Sequence, residues 1–243
     1  MKREYLYTFV ARCGVAMCLT VLLSSCDTRT SLGKTFEAVD LGLPSGLKWA
    51  TWNIGAKSSS DYGAYFAWGE TATKEDYNLA SYKYYLSPSN DKQGIGVYTE
   101  GHTKYCDRCE AGCNGYTDSL TILEPTDDVA HVLLGGAWRM PTIGDFEELS
   151  KNCVWTWTTM PNGVSGYNVK GKNGNSIFLP AAGYRYEHFR YCEISNGFYW
   201  SSSLSSTNVC NARYLGFFSG NVSVGYIHFR DYGFSVRPVW SKE

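Results

Sequence analysis

Polar and apolar positions along the chain fall into three successive regimes. Residues 36–41 and 47–53 have strand length and partial alternation, with Pro44-Ser-Gly46 as the turn between them, and residues 63–69 make a third short strand candidate. Regularity then stops: residues 71–120 hold only five Leu, Ile or Val side chains among many Tyr, Gly, Ser and Asn. A stretch this long without elements is normally a functional or pinned excursion. Two helices follow. Residues 127–134 open on Asp127 and Asp128, which suit the positive end of a helix, and stop at Gly135-Gly136. Residues 141–153 offer Thr142 as N-cap with Asp145 three positions on, and place Phe146, Leu149 and Cys153 on one face.

Beyond Cys153 the pattern turns to strands. Residues 167–170 and 176–179 flank Asn173-Gly174, a dipeptide that tolerates positive φ in a tight hairpin. Residues 198–203, 213–218, 222–229 and 234–240 complete the set, with Ser219-Gly220-Asn221 turning one pair. The expectation is an α+β fold, β-rich with two central helices, in one domain over residues 36–241. No internal repeat is visible.

The first 26 residues read differently. Lys2 and Arg3 precede an apolar stretch at 13–23, too short for a membrane span of ~20 residues but long enough for the core of a signal peptide. It ends in Leu23-Ser24-Ser25-Cys26, which resembles the lipobox of bacterial lipoproteins, so residues 1–25 are read as a leader and Cys26 as the lipidation site. Two or more acyl chains anchor stably, which implies a membrane-tethered, extracytoplasmic protein with residues 26–35 as tether, on the outer membrane of a Gram-negative bacterium. Charge adds an exclusion. With 22 Lys+Arg against 23 Asp+Glu there is no basic field, and nucleic acid is not an expected partner.

Nine blocks, in order, carry a family likeness: Ala38-Val-Asp-Leu-Gly-Leu43, Lys48-Trp-Ala-Thr51, Asn53-Ile-Gly-Ala56, Tyr65-Phe-Ala-Trp-Gly-Glu70, Glu124-Pro-Thr-Asp-Asp128, Gly136-Ala-Trp-Arg-Met-Pro-Thr142, Pro180-Ala-Ala-Gly-Tyr-Arg185, Tyr199-Trp-Ser-Ser-Ser203 and Ser235-Val-Arg-Pro-Val239. Together they resemble the Fibrobacter succinogenes major paralogous domain family. The resemblance implies a C-type-lectin-like fold, distantly similar to the formylglycine-generating enzymes, with the first and last strands paired. The chain departs from the family at Trp52, where relatives often carry a cysteine. It also lacks the calcium-lectin loops, retaining only Glu124-Pro-Thr126 and Trp200-Ser-Ser202, so calcium-mediated sugar binding is not expected. The copper-binding cysteine pair of the formylglycine-generating enzymes has no counterpart here.

Six cysteines lie beyond the lipidation site: Cys106, Cys109, Cys113, Cys153, Cys192 and Cys210. An even number in an exported chain points first to disulfides, with the pairing open. His102, Cys106, Cys109 and Cys113 have zinc-compatible spacing and form the alternative. Nucleophilic chemistry finds little support, because Ser201, Ser202 and Ser203 sit outside a Gly-x-Ser-x-Gly elbow. Glu147 and Glu148 read as solvated helix charges, and His131 and His228 as structural. The segment 184–191 is different: Tyr184, Tyr186, His188, Arg190 and Tyr191 mix aromatic faces with charge and show no period, a surface suited to stacking a sugar ring or gripping a protein. The function expected is therefore a noncatalytic, lipid-anchored module that binds glycan or protein through 184–191 and the 71–120 excursion, without a cofactor. A structural or adhesive surface subunit is the alternative, and an enzyme with a metal or redox cysteine site comes after both.

Overall fold

The computed structural model describes residues 36–87 and 100–241, all within one compact unit, Lys34–Glu243. The leader, Cys26 and the tether lie outside the described residues, as does part of the excursion. In chain order the strands begin with β1 (Ala38–Asp40), β2 (Lys48–Ala50), β3 (Tyr65–Phe66), β4 (Tyr85–Leu86) and β5 (Gly101–His102). Then come helix α1 (Val129–Leu134), β6 (Trp138–Arg139) and helix α2 (Ile143–Asn152). Ten strands follow: β7 (Val154–Thr159), β8 (Ser165–Lys170), β9 (Ser176–Pro180), β10 (Tyr184–Tyr186), β11 (Phe189–Tyr191), β12 (Asn196–Leu204), β13 (Asn211–Phe218), β14 (Asn221–Phe229), β15 (Phe234–Ser235) and β16 (Val239–Trp240). The molecule is α+β and mostly β.

A five-stranded sheet in the order β14-β13-β12-β15-β3 divides the interior. Its central strands are buried on both faces, because successive side chains alternate sides. Tyr199 and Leu215 join Trp49, Phe146 and Leu149 in one apolar cluster, whereas their neighbours Trp200 and Tyr214 join Trp68, Tyr82 and Phe234 in the other. Gly225, at φ 87°, makes the bulge that shifts the β13–β14 register. Val224 therefore lies opposite Leu215 and packs against the Trp49 cluster, while Tyr226 lies opposite Tyr214 and is largely exposed.

The terminal strands correct one expectation. β1, β2, β16 and β6 form a sheet in that order, so the last strand joins the sheet of the first but pairs with β2 and β6 rather than with β1. Residues 234–240 are also two strands, not one. The break falls at Arg237-Pro238, where proline has no N–H to donate and the arginine side chain turns inward.

Helix α2 follows its local chemistry. Thr142 accepts from the Asp145 amide at 3.2 Å while Asp145 accepts from the Thr142 amide at 2.7 Å, and Phe146 and Leu149 are fully buried. Cys153 is the C-cap rather than a helical face residue. At α1 the cap is Asp128, which accepts from Ala130 and His131; Asp127 is engaged elsewhere. Three further departures concern strands. β7 pairs with β8 ahead of the expected hairpin, residues 184–191 form the β10–β11 hairpin, and the excursion contains β4, β5 and two short 3-10 turns, Leu79–Ser81 and Cys113–Gly115.

Candidate functional site

Buried tyrosines hold the excursion down, two of them through hydroxyls that reach backbone carbonyls. Tyr77 donates to Tyr65 O at 2.6 Å and Tyr82 to Trp68 O at 2.8 Å. Tyr105 donates to Asp127 at 2.7 Å, and Lys104 and Lys83 reach the same carboxylate at 2.6 and 3.1 Å. Burial alone would raise the Asp127 carboxyl, but these hydrogen bonds, Lys104 foremost, outweigh it and hold it below the usual carboxylate range. The excursion is thus pinned, one of the two alternatives expected of it, and several of its tyrosines belong to the core.

Hairpin β10–β11 closes over this layer. Tyr77 and Glu187 exchange backbone hydrogen bonds, as do Arg185 and Gly233. Gly233 allows that close approach, since a Cβ there would stand 2.7 Å from the Tyr77 ring. The segment that links β14 to β15 is thereby drawn in beside the excursion, and a cleft of about 300 Å³ opens between them. Tyr82, Tyr85, Tyr186, Phe229 and Tyr232 supply its aromatic walls. Tyr186 stacks on Tyr232 at 4.5 Å, and Phe229 is 52% exposed.

Three polar side chains share the cleft: His102, Arg230 and Asp231, each less than a tenth exposed. Burial, and after it the Arg230 charge, lowers His102 to about 3, so its ring is neutral at physiological pH. Its Nδ1 stands 3.3 Å from Tyr84 O, which places the proton there and leaves Nε2 as an acceptor. Arg230 uses Nη1 to donate to Tyr105 O at 3.0 Å and Lys104 O at 3.3 Å, and its guanidinium lies 5.6 Å from the Trp68 and Tyr82 ring centroids. Among the described residues, His102 Nε2 and Arg230 Nε and Nη2 have no hydrogen-bond partner. The Asp231 carboxyl is raised by burial, which outweighs a hydrogen bond from its own backbone amide and the attraction of Lys74 and Arg230. One acceptor and two donors are thus unmatched on residues that, with Asp231, line one aromatic-walled space.

Of the five side chains expected at the site, only Tyr186 lines the cleft. Tyr184 and Tyr191 stack on each other at 5.3 Å, with Tyr184 packed edge-on against Phe198. Arg190 lies over Tyr65 and pairs with Glu193 at 3.1 Å, and His188 is exposed at the hairpin turn. Arg230, Asp231, Phe229 and Tyr232 were not singled out by sequence. They carry the same signal as 184–191, opposite charges flanked by aromatics beside a glycine.

The six thiols are unbonded in the structure. Cys106 is buried, with Sγ donating to Arg108 O at 3.1 Å; Cys109 and Cys192 are exposed, while Cys113, Cys153 and Cys210 are half-buried. Among the described residues no three His, Cys, Asp or Glu side chains gather as metal ligands, so His102, Cys106, Cys109 and Cys113 do not converge. Ser201, Ser202 and Ser203 are buried in β12, and Ser201 donates to Arg213 O at 2.6 Å. A larger, shallower groove of about 560 Å³ beside Trp52, Thr158 and Ser176 has no buried charge in its lining, which leaves the smaller cleft as the candidate site. No family model, no curated protein and no solved structure matches the chain.

Proposed function

We propose that the chain is a noncatalytic binding module, anchored through Cys26 to the outer membrane of a Gram-negative bacterium, that recognises glycan in the cleft between the excursion and the end of β14. One observation carries the binding role: buried His102 and Arg230 keep hydrogen-bonding capacity unfilled in a cleft that aromatic rings and the Asp231 carboxyl also line. Such a mixture of apolar wall and few convergent polar groups is the usual make-up of a small-ligand site, and about 300 Å³ lies at the small end of the roughly 300–1,000 Å³ that such sites span. The leader, the lipobox and the resemblance to a lectin-like family support the cell-surface setting. A glycan array probed with the purified full chain is expected to show binding that Tyr186→Ala and Phe229→Ala each weaken. A blank array, or variants that bind like the parent, refutes the glycan reading.

A second reading, a structural or adhesive subunit, draws on a separate observation. β14 is an outer strand of the five-stranded sheet, and its Tyr226 and Phe229 are each more than half exposed. Self-association that survives dilution to nanomolar concentration favours it; a monomer throughout excludes it.

A further inference from the structure

The cleft's charge balance narrows what it takes. Glu70 is matched by Lys74 at 2.9 Å, which leaves Arg230 and Asp231 as the charged pair of opposite sign lining the cavity. A ligand of either net charge would therefore bring its charge against a buried group of like sign. Desolvated like charges cost several kcal/mol, so net charge is selected against. The polar groups of the lining are mixed as well: Asp231 and the unmatched His102 Nε2 accept, while the unmatched Arg230 Nε and Nη2 donate. A hydroxyl does both without charge.

We infer that the cleft holds one uncharged sugar unit, whose hydroxyls donate to the Asp231 carboxylate and to His102 Nε2 and accept from Arg230, with its C–H face against Phe229 and Tyr232. The inference rests on the glycan reading and names the ligand class within it. The volume fits a single ring, not a run of several. Asp231 is the principal contact, because a hydrogen bond to a charged acceptor is among the stronger ones.

The test uses the purified full chain in competition against whichever glycan the array returns. The competitors are methyl glucoside, methyl galactoside and methyl mannoside as neutral probes, glucuronate as the acidic one and glucosamine as the basic one. At least one neutral glycoside is expected to compete, with glucuronate and glucosamine at least tenfold weaker than the best neutral sugar. Asp231→Asn is expected to weaken the neutral sugar by tenfold or more. Because that change removes a charge whose burial outweighs the attraction of Lys74 and Arg230, the variant's melting temperature should be no lower than the parent's, which separates lost contact from lost fold. Stronger competition by glucuronate or glucosamine overturns the inference, and so does unchanged binding by Asp231→Asn. If array glycans bind but no neutral monosaccharide competes, this inference fails while the glycan reading stands; if no glycan binds, both fall.

Discussion

Arg230 and Arg237 are both buried, at 1% and 0% exposure, and neither forms an ion pair among the described residues. Their surroundings differ. Arg237 donates from every nitrogen: Nε to Asn53 Oδ1 at 2.8 Å, Nη1 to Ala50 O and Thr51 O at 3.0 and 3.2 Å, and Nη2 to Phe178 O at 2.8 Å. It ties β2, β9 and the end of the chain together, and burial lowers it to about 10. Arg230 donates only from Nη1 and leaves one side of its guanidinium unfilled at a cleft. A buried charge with its donors used up is a girder, whereas one with donors to spare is a candidate for a site. The burial alone does not distinguish the two.

The largest expected effect tests that contrast directly. Arg237→Met strands Ala50 O, Thr51 O, Phe178 O and the Asn53 side chain and should destabilise the fold by roughly 3–5 kcal/mol in urea unfolding. Arg230→Met strands only two carbonyls and should cost about 1–2 kcal/mol. Equal losses would remove the distinction between the two arginines.

Acid should reach the Arg230 side first. His102 has a folded value of about 3 against an ordinary 6.5, so the folded state favours the neutral ring. The stability this provides is complete above pH 6.5 and is lost as pH falls from there towards 3, by on the order of 2 kcal/mol between pH 6.5 and 4.5. Asp127 acts lower on the scale. Its depressed carboxyl contributes stability above the ordinary carboxylate value, lost as pH falls below it. Melting curves from pH 7 to 4 should therefore slope for the parent and flatten for His102→Asn, while Asp127→Asn lowers stability at pH 7 by about 1–3 kcal/mol. A parent profile without slope would mean that His102 is not held neutral.

Legibility in the sequence tracked how local the cause was. Helix α2 could be read because Thr142, Asp145, Phe146 and Leu149 act within two turns, and the β8–β9 hairpin because Gly174 meets its own positive-φ demand at 91°. The excursion could not. Tyr77 and Tyr82 owe their positions to the carbonyls of Tyr65 and Trp68, and nothing in spacing announces such bonds. The alternation of 184–191 was hidden because Arg185 faces Tyr77 at 5.1 Å while Tyr186 faces Tyr232, so both faces are covered by groups of mixed character. Tyr186 was identifiable as a candidate that lines the cleft; Arg230 and Asp231 were not, since a charged pair after a strand reads as an ordinary turn until its burial is known.

The smallest effect is the most discriminating. Asp231 is 6% exposed and its folded carboxyl is raised above the ordinary 3.8 by burial, so folding opposes its ionisation. That penalty is absent at pH values below the unfolded carboxyl's, grows as pH rises through the folded one and is complete at neutral pH. Asp231→Asn should therefore stabilise the fold at pH 7, by about 0.5–1 kcal/mol, with the gain shrinking to nothing near pH 3. Replacing Asp145, whose carboxylate caps α2 and pairs with Arg139 at 2.6 Å, should do the opposite and cost about 1 kcal/mol at pH 7. A carboxylate kept where it weakens the fold implies a use other than folding, and paired melting curves of the two variants at pH 7 and pH 3 measure that difference. If Asp231→Asn instead loses stability at pH 7, Asp231 belongs with Arg237 among the girders, and the cleft loses its principal ligand contact.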